Sequence, residues 1–103
     1  MSINNLDNYL KENNGNCVVL FSSSRCLPCI EIKKYIEFKN INMKCFIRED
    51  NNKELFINNN IEMLPQIREY NNYNKENEII GFEKIMNYLK NDYIADDFDN
   101  TDF

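Results

Sequence analysis

A chain of 103 residues with 43% hydrophobic content is one domain's worth of sequence, enough for a single packed core and too short for two. A formal net charge of −5 argues against nucleic acid or an anionic membrane surface as the main partner. The absence of His removes Ser–His and Cys–His nucleophile pairs, HExxH metal sites and any histidine pH switch.

Residues 3–12 carry Ile3, Leu6 and Leu10 at helical spacing, with Ser2 or Asn4 available as a cap, so a short amphipathic helix is expected. The run MSINNLDNYLKENN lacks the basic-then-apolar layout of a signal peptide. A cytoplasmic location, or the host cytoplasm for a viral chain, is therefore expected. Asn13-Asn14-Gly15-Asn16 stops the helix with strong turn chemistry. Cys17 to Phe21 is the longest apolar run, far short of the roughly 18 residues of a membrane span, and it reads as a strand buried on both faces. Ser22-Ser23-Ser24-Arg25 is a loop. From Leu27 to about Lys39, the pattern Cys29, Ile32, Tyr35, Ile36 predicts a second helix, with Pro28 in the first turn, where proline is tolerated.

Met43 to Ile47 reads as a second strand, and Asn51-x-x-Glu54 as a capping-box-like start to a short helix through Leu55 and Phe56. Gln66 to Tyr70 follows Pro65 as a strand. Asn71 to Asn77 reads as a turn, and Glu78 to Ile80 as the returning strand of a hairpin. After Gly81, the residues Phe82, Ile85, Met86, Leu89 and Tyr93 mark the clearest amphipathic helix of the chain. The order is α-β-α-β-α-β-β-α: parallel strands joined by helices, then a terminal hairpin, which is an α/β sandwich with a mixed sheet. Residues 1–94 are expected to form this domain. Residues 95–103 form an acidic tail, expected to be disordered. Twenty residues are Asn. Asn, Ile, Lys and Tyr rise together, as they do under AT-rich coding, so no function is read from the Asn clusters.

The chemistry lies in Cys26-Leu27-Pro28-Cys29, placed after a buried strand and at the start of a helix. Two intervening residues, wound into the first helical turn, bring the sulfurs within disulfide reach. The first sulfur meets the unpaired N–H groups and positive dipole end of the helix, which favour an anion. Such placement lowers a thiol pKa from about 8.5 towards about 3.5–7.5. Cys26 then has the thiolate fraction to attack a disulfide, and Cys29 can resolve the mixed disulfide that results. Arg25 adds positive charge of the helpful sign. Three plainer readings compete. A structural zinc needs four ligands, whereas Cys17 and Cys45 each sit alone in an apolar strand and read as core residues. A purely structural disulfide suits a secreted chain. Two small hydrophobes at a helix start is the last.

On the strand–CxxC–helix unit, the late Leu64-Pro65 before a hairpin, and Gly81 before a final helix, residues 1 to about 94 resemble the thioredoxin superfamily. The resemblance implies a three-layer α/β/α sandwich around a mixed four-stranded sheet. It also implies a cis bond before Pro65 facing the CxxC, and a role for Leu64 and Pro65 in pairing with an extended substrate. Arg25, Leu27 and Pro28 would complete the substrate-binding surface. Departures are specific. Arg25 stands where thioredoxins resemble one another in a Trp, and Leu27 where they carry Gly, while Pro28 agrees. The buried Asp on the strand before the motif is matched by Leu20, and its companion Lys by Phe46. Glutaredoxins resemble Cys-Pro-Tyr-Cys, with a Gly-Gly-x-x-Asp element that Gly81-Phe82-Glu83 copies poorly, although the short middle section is glutaredoxin-like.

The resemblance thus implies a monomeric thiol–disulfide oxidoreductase of cell redox homeostasis, acting on protein disulfides. Cys26 and Cys29 would be its redox pair and no prosthetic group is needed. A thioredoxin reductase or glutathione would donate the electrons. The rival reading is a non-catalytic binding module of the same fold that docks partners on the CxxC and Pro65 face.

Overall fold

The computed structural model describes residues 5–92. In chain order the elements are α1 (Asn5–Glu12), β1 (Cys17–Ser22), α2 (Leu27–Phe38), β2 (Lys44–Ile47), α3 (Lys53–Asn58), β3 (Gln66–Asn71), β4 (Asn74–Ile80) and α4 (Phe82–Asn87). A π-helical turn, Tyr88–Asp92, continues α4. The expected order is reproduced. Ile3, the two candidate caps before α1, Tyr93, Ile94 and the acidic segment 95–103 lie outside the described residues.

The four strands form one sheet in the order β2-β1-β3-β4, with β1 parallel to β2 and β3 antiparallel to both β1 and β4. β1 occupies the interior of the sheet because its side chains are apolar on both faces. Val19, Leu20 and Phe21 are all fully buried. Val19 and Phe21 face α1 and α3, where they pack with Leu6, Leu10, Phe46, Leu55 and Phe56. Leu20 faces α2 and α4, among Ile32, Ile36, Ile67, Ile85 and Leu89. The alternation of one strand thus seeds two cores, and the helices that cover them make the outer layers.

Three helices end on one device, and it uses asparagine. Asn14, Asn40 and Asn60 follow α1, α2 and α3 with φ of 56°, 58° and 55°. Each donates its N–H three residues back, and the next residue donates five back: Gly15 to Leu10 O at 2.7 Å, Ile41 to Ile36 O and Ile61 to Phe56 O at 2.9 Å. This is the Schellman closure, which needs a left-handed residue after the helix. Glycine is the usual choice, but this chain has only two. Asn tolerates the left-handed region better than other L-residues, because its short amide bonds locally. Asn51 and Asn72 occupy it as well. Whatever enriched the sequence in Asn, the fold uses these five where φ must be positive.

Three local expectations are corrected. The start of α3 is capped by Asn52, not Asn51, and the Asn52 side chain does not bond its own helix. Its amide is buried and instead donates to Ile47 O at 2.8 Å and accepts from Asn5 Nδ2 at 3.0 Å, tying α1 to the end of β2. The hairpin is tighter than its polar sequence suggests. β4 begins at Asn74, so only Asn72 and Tyr73 turn, with φ of 52° and 69°, as a two-residue type I′ loop requires. Residues 74–77 look like loop because β4 is an edge strand exposed to water, where charge blocks further pairing. The tip packs on the end of α1: Tyr73 N–H donates to Gly15 O, and a Cβ at Gly15 would stand 2.5 Å from the Tyr73 ring. Finally, Phe82 is exposed at the start of α4, while Tyr88 is buried and donates to Glu69 Oε2 at 2.6 Å.

The Asn caps give a direct stability test. Asn60 is exposed, so its contribution is one of backbone conformation. Asn60→Gly should retain or slightly raise stability, whereas Asn60→Ala should lose about 1 kcal/mol, both read from urea unfolding midpoints. Equal losses in the two variants would mean that the left-handed conformation is not what Asn60 supplies.

Candidate active site

The end of β1 and the start of α2 build the site. Cys26 is the N-cap of α2 with an extended backbone (φ −104°, ψ 110°), and its Sγ accepts the N–H of Cys29 at 3.2 Å. Pro28 lies in the first turn, where its missing N–H leaves no broken helical bond. Cys26 and Cys29 are joined in a disulfide, with their Cα atoms 5.2 Å apart. The two cysteines are unequal in access. Cys29 is fully buried beside Ile32, one turn into the helix, whereas Cys26 is half-buried at its tip. Leu27 and Pro28 are both exposed, Leu27 to 76%, and so is Arg25.

The Leu64–Pro65 peptide bond is cis. Pro65 precedes β3, and the pairing of Phe21 with Gln66 sets it beside the end of β1 from which the CxxC loop departs. Pro65 O accepts the N–H of Gly81 at 3.1 Å, so the start of α4 is tied to the same corner. Pro65 is buried, Leu64 is half-buried against the α1/α3 core, and Met63 stays 63% exposed.

Beneath the motif the floor is apolar. Leu20, at the position matched to a buried acid, is fully buried among Ile32, Ile36 and Ile67. The match of Phe46 to that acid's companion Lys is corrected by the register. Phe46 points to the other face and stacks on Phe21 at 5.8 Å. The residue paired with Leu20 is Cys45, whose Sγ lies 3.3 Å from the buried Ser22 hydroxyl. Cys17 packs against the α1/α3 core and Cys45 against the α2/α4 core, and burial pushes both thiols up. Neither is poised as a thiolate. Among the described residues no cluster of three or more His, Cys, Asp or Glu has metal-binding geometry.

One residue at the site carried no sequence signal. Glu49, just past β2, accepts the N–H of Ser24 at 2.9 Å and the hydroxyl of Ser23 at 2.8 Å. These bonds, led by the Ser24 N–H, hold its carboxyl down at about 2. A glutamate 23 residues beyond Cys26 could be placed there only once the β1–β2 register was known.

Two outcomes follow. In the reduced protein, iodoacetamide near neutral pH should label Cys26 before Cys29, as read by peptide mass spectrometry, because Cys26 is both more exposed and at the helix dipole. The Glu49 carboxyl lies below its ordinary 4.5 in the folded chain, so its stabilisation is complete above that value and is lost as pH falls through about 2. Glu49→Gln should therefore flatten the acid limb of the stability–pH curve.

A scan against protein-family profiles and a search of curated proteins find no match to the sequence. Solved structures do match. The thioredoxin of Fasciola hepatica superposes with a TM-score of 0.65 at 21% identity, covering 82% of this chain and 88% of its own. The reduced thioredoxin pre-protein of Schistosoma mansoni gives 0.63 at 22%, covering 82% and 87%. The oxidised thioredoxin of Plasmodium falciparum, solved in solution, gives 0.64 at 15%, covering 87% and 92%. The chain, with a CxxC disulfide at the N-terminus of α2, therefore has the thioredoxin fold.

Proposed function

We propose that the protein is a thiol–disulfide oxidoreductase that reduces or exchanges disulfides of other proteins. The observation that carries this reading is the asymmetric Cys26–Cys29 disulfide: one sulfur at the tip of α2 within reach of solvent, the other buried one turn behind. In the reduced state, the Cys26 thiolate attacks one sulfur of a substrate disulfide. An S–S bond forms between Cys26 and the substrate, and the other substrate sulfur leaves as a thiolate that takes up a proton. Cys29 then loses its proton and attacks Cys26 Sγ, releasing the second substrate thiol and leaving the protein oxidised. Two electrons and two protons pass to the substrate. With Leu20 beneath the motif, the Cys29 proton goes to water or to the departing substrate thiolate.

Leu64 and Pro65 at the corner of β3, with Arg25, Leu27 and Pro28 around the CxxC, would form the docking surface. An extended substrate segment could hydrogen-bond to the backbone there and hold its disulfide over Cys26. The exposed Leu27 and Met63 give that surface an apolar rim. The protein would act as a monomer in the cytoplasm, re-reduced by a thioredoxin reductase or by glutathione, with no prosthetic group.

Reduction of insulin disulfides with dithiothreitol as donor tests the reading. The wild-type protein should accelerate precipitation of the insulin B chain, and Cys26→Ser should return the rate to that of dithiothreitol alone. A folded wild-type protein with no acceleration would favour a docking module built on the same face.

A further inference from the structure

The loop that delivers Cys26 is bonded residue by residue to the segment after β2. Pairing of Ser22 with Ile47 sets the two side by side, and Arg48 N–H continues the ladder to Ser22 O at 2.9 Å. The Ser23 hydroxyl donates to Glu49 Oε2 at 2.8 Å and accepts the Arg25 N–H at 3.1 Å and Arg48 Nη2 at 3.4 Å. Ser24 N–H donates to Glu49 Oε1 at 2.9 Å, and Cys26 N–H closes back on Ser23 O at 3.2 Å. One carboxylate thus takes both a backbone and a side-chain donor of the loop, with Arg48 Nε 3.4 Å from Oε2. Bonds to an ionised acceptor are the stronger kind. Ser23 is 4% exposed, so the bridge runs through a buried hydroxyl.

A carboxylate is an odd choice here on charge alone. Negative charge on the loop before a nucleophilic cysteine disfavours the thiolate. Position is what it offers. Cys26 can cap α2 only in an extended backbone with its sulfur turned to the Cys29 N–H, and the Ser23–Arg25 turn sets that approach. Resting on the thiol–disulfide reading of the motif, we propose that Glu49, through Ser23 and Ser24, is a positioning residue that holds Cys26 in the capping geometry on which its reactivity depends.

The positional and charge effects have opposite signs, which makes the proposal testable. Glu49→Ala and Ser23→Ala are compared with wild type in the reduced protein. The rate of Cys26 alkylation by iodoacetamide is read at pH 7 by peptide mass spectrometry, at low salt and at about 1 M salt, where exposed charges are screened. Each substitution should slow Cys26 about fivefold, the size of one capping hydrogen bond, and by the same factor at both salts. The double variant should be little slower than either single one, because the two residues act through one bridge. A faster Cys26 in Glu49→Ala, with the gain vanishing at high salt, would show a charge effect and overturn the proposal. So would a lower melting temperature with Cys26 reactivity unchanged, which would make the bridge structural only. Ser23→Ala carries no charge change and keeps the test decisive if Glu49→Ala folds poorly. Insulin reduction by the wild type separates this from the activity itself. Turnover with unaltered Cys26 rates in both variants overturns the positioning role alone. Slowed variants of a protein with no turnover overturn the activity alone.

Discussion

The interaction on which the site depends is the hydrogen bond from Cys29 N–H to Cys26 Sγ. A sulfur stands where most helices place a serine or aspartate oxygen, and it caps the helix start. The rest of the architecture serves that placement. β1 buries four successive side chains completely, Val19 to Ser22, so its end is fixed between the two cores. Ile32 and Ile36 pin α2 to the face below. Because the helix enters the core immediately, Cys29 is enclosed and Cys26 is not. The division of labour proposed for these two chemically identical thiols rests on that difference in depth.

Much of this was legible in the sequence. An apolar run followed by a polar loop and a CxxC with Pro28 announces strand, turn and helix, since few other arrangements satisfy all three signals. Where sequence reading failed, the cause was long-range pairing. Phe46 and Cys45 are neighbours in the chain, and only the β1–β2 register decides which one lies beside Leu20. Glu49 meets Ser23 and Ser24 across 26 and 25 residues, so no local pattern could link them. The first part of β4, residues 74–77, reads as loop because an edge strand open to water has no need of apolar alternation. The asparagines are a different case. Their number says nothing of function, but the positions of Asn14, Asn40 and Asn60 are explained by helix closure in a chain poor in glycine.

The apolar floor shapes the chemistry proposed for the site. With Leu20 and Ile67 beneath α2, and the Cys45 thiol pushed up by burial, no carboxylate stands at the Leu20 position to take the proton of Cys29. Deprotonation of the resolving cysteine is then coupled to solvent or to the substrate. The leaving thiolate becomes the natural acceptor, and the second exchange step is tied to the presence of a docked substrate.

The central claim is that Cys26 forms the mixed disulfide and Cys29 resolves it. Cys29→Ser protein mixed with a disulfide-bonded protein substrate, quenched with acid and mapped by peptide mass spectrometry, tests this most directly. The account predicts a stable covalent adduct on Cys26, absent from Cys26→Ser protein. An adduct on Cys17 or Cys45, or one that forms equally well without Cys26, would contradict it.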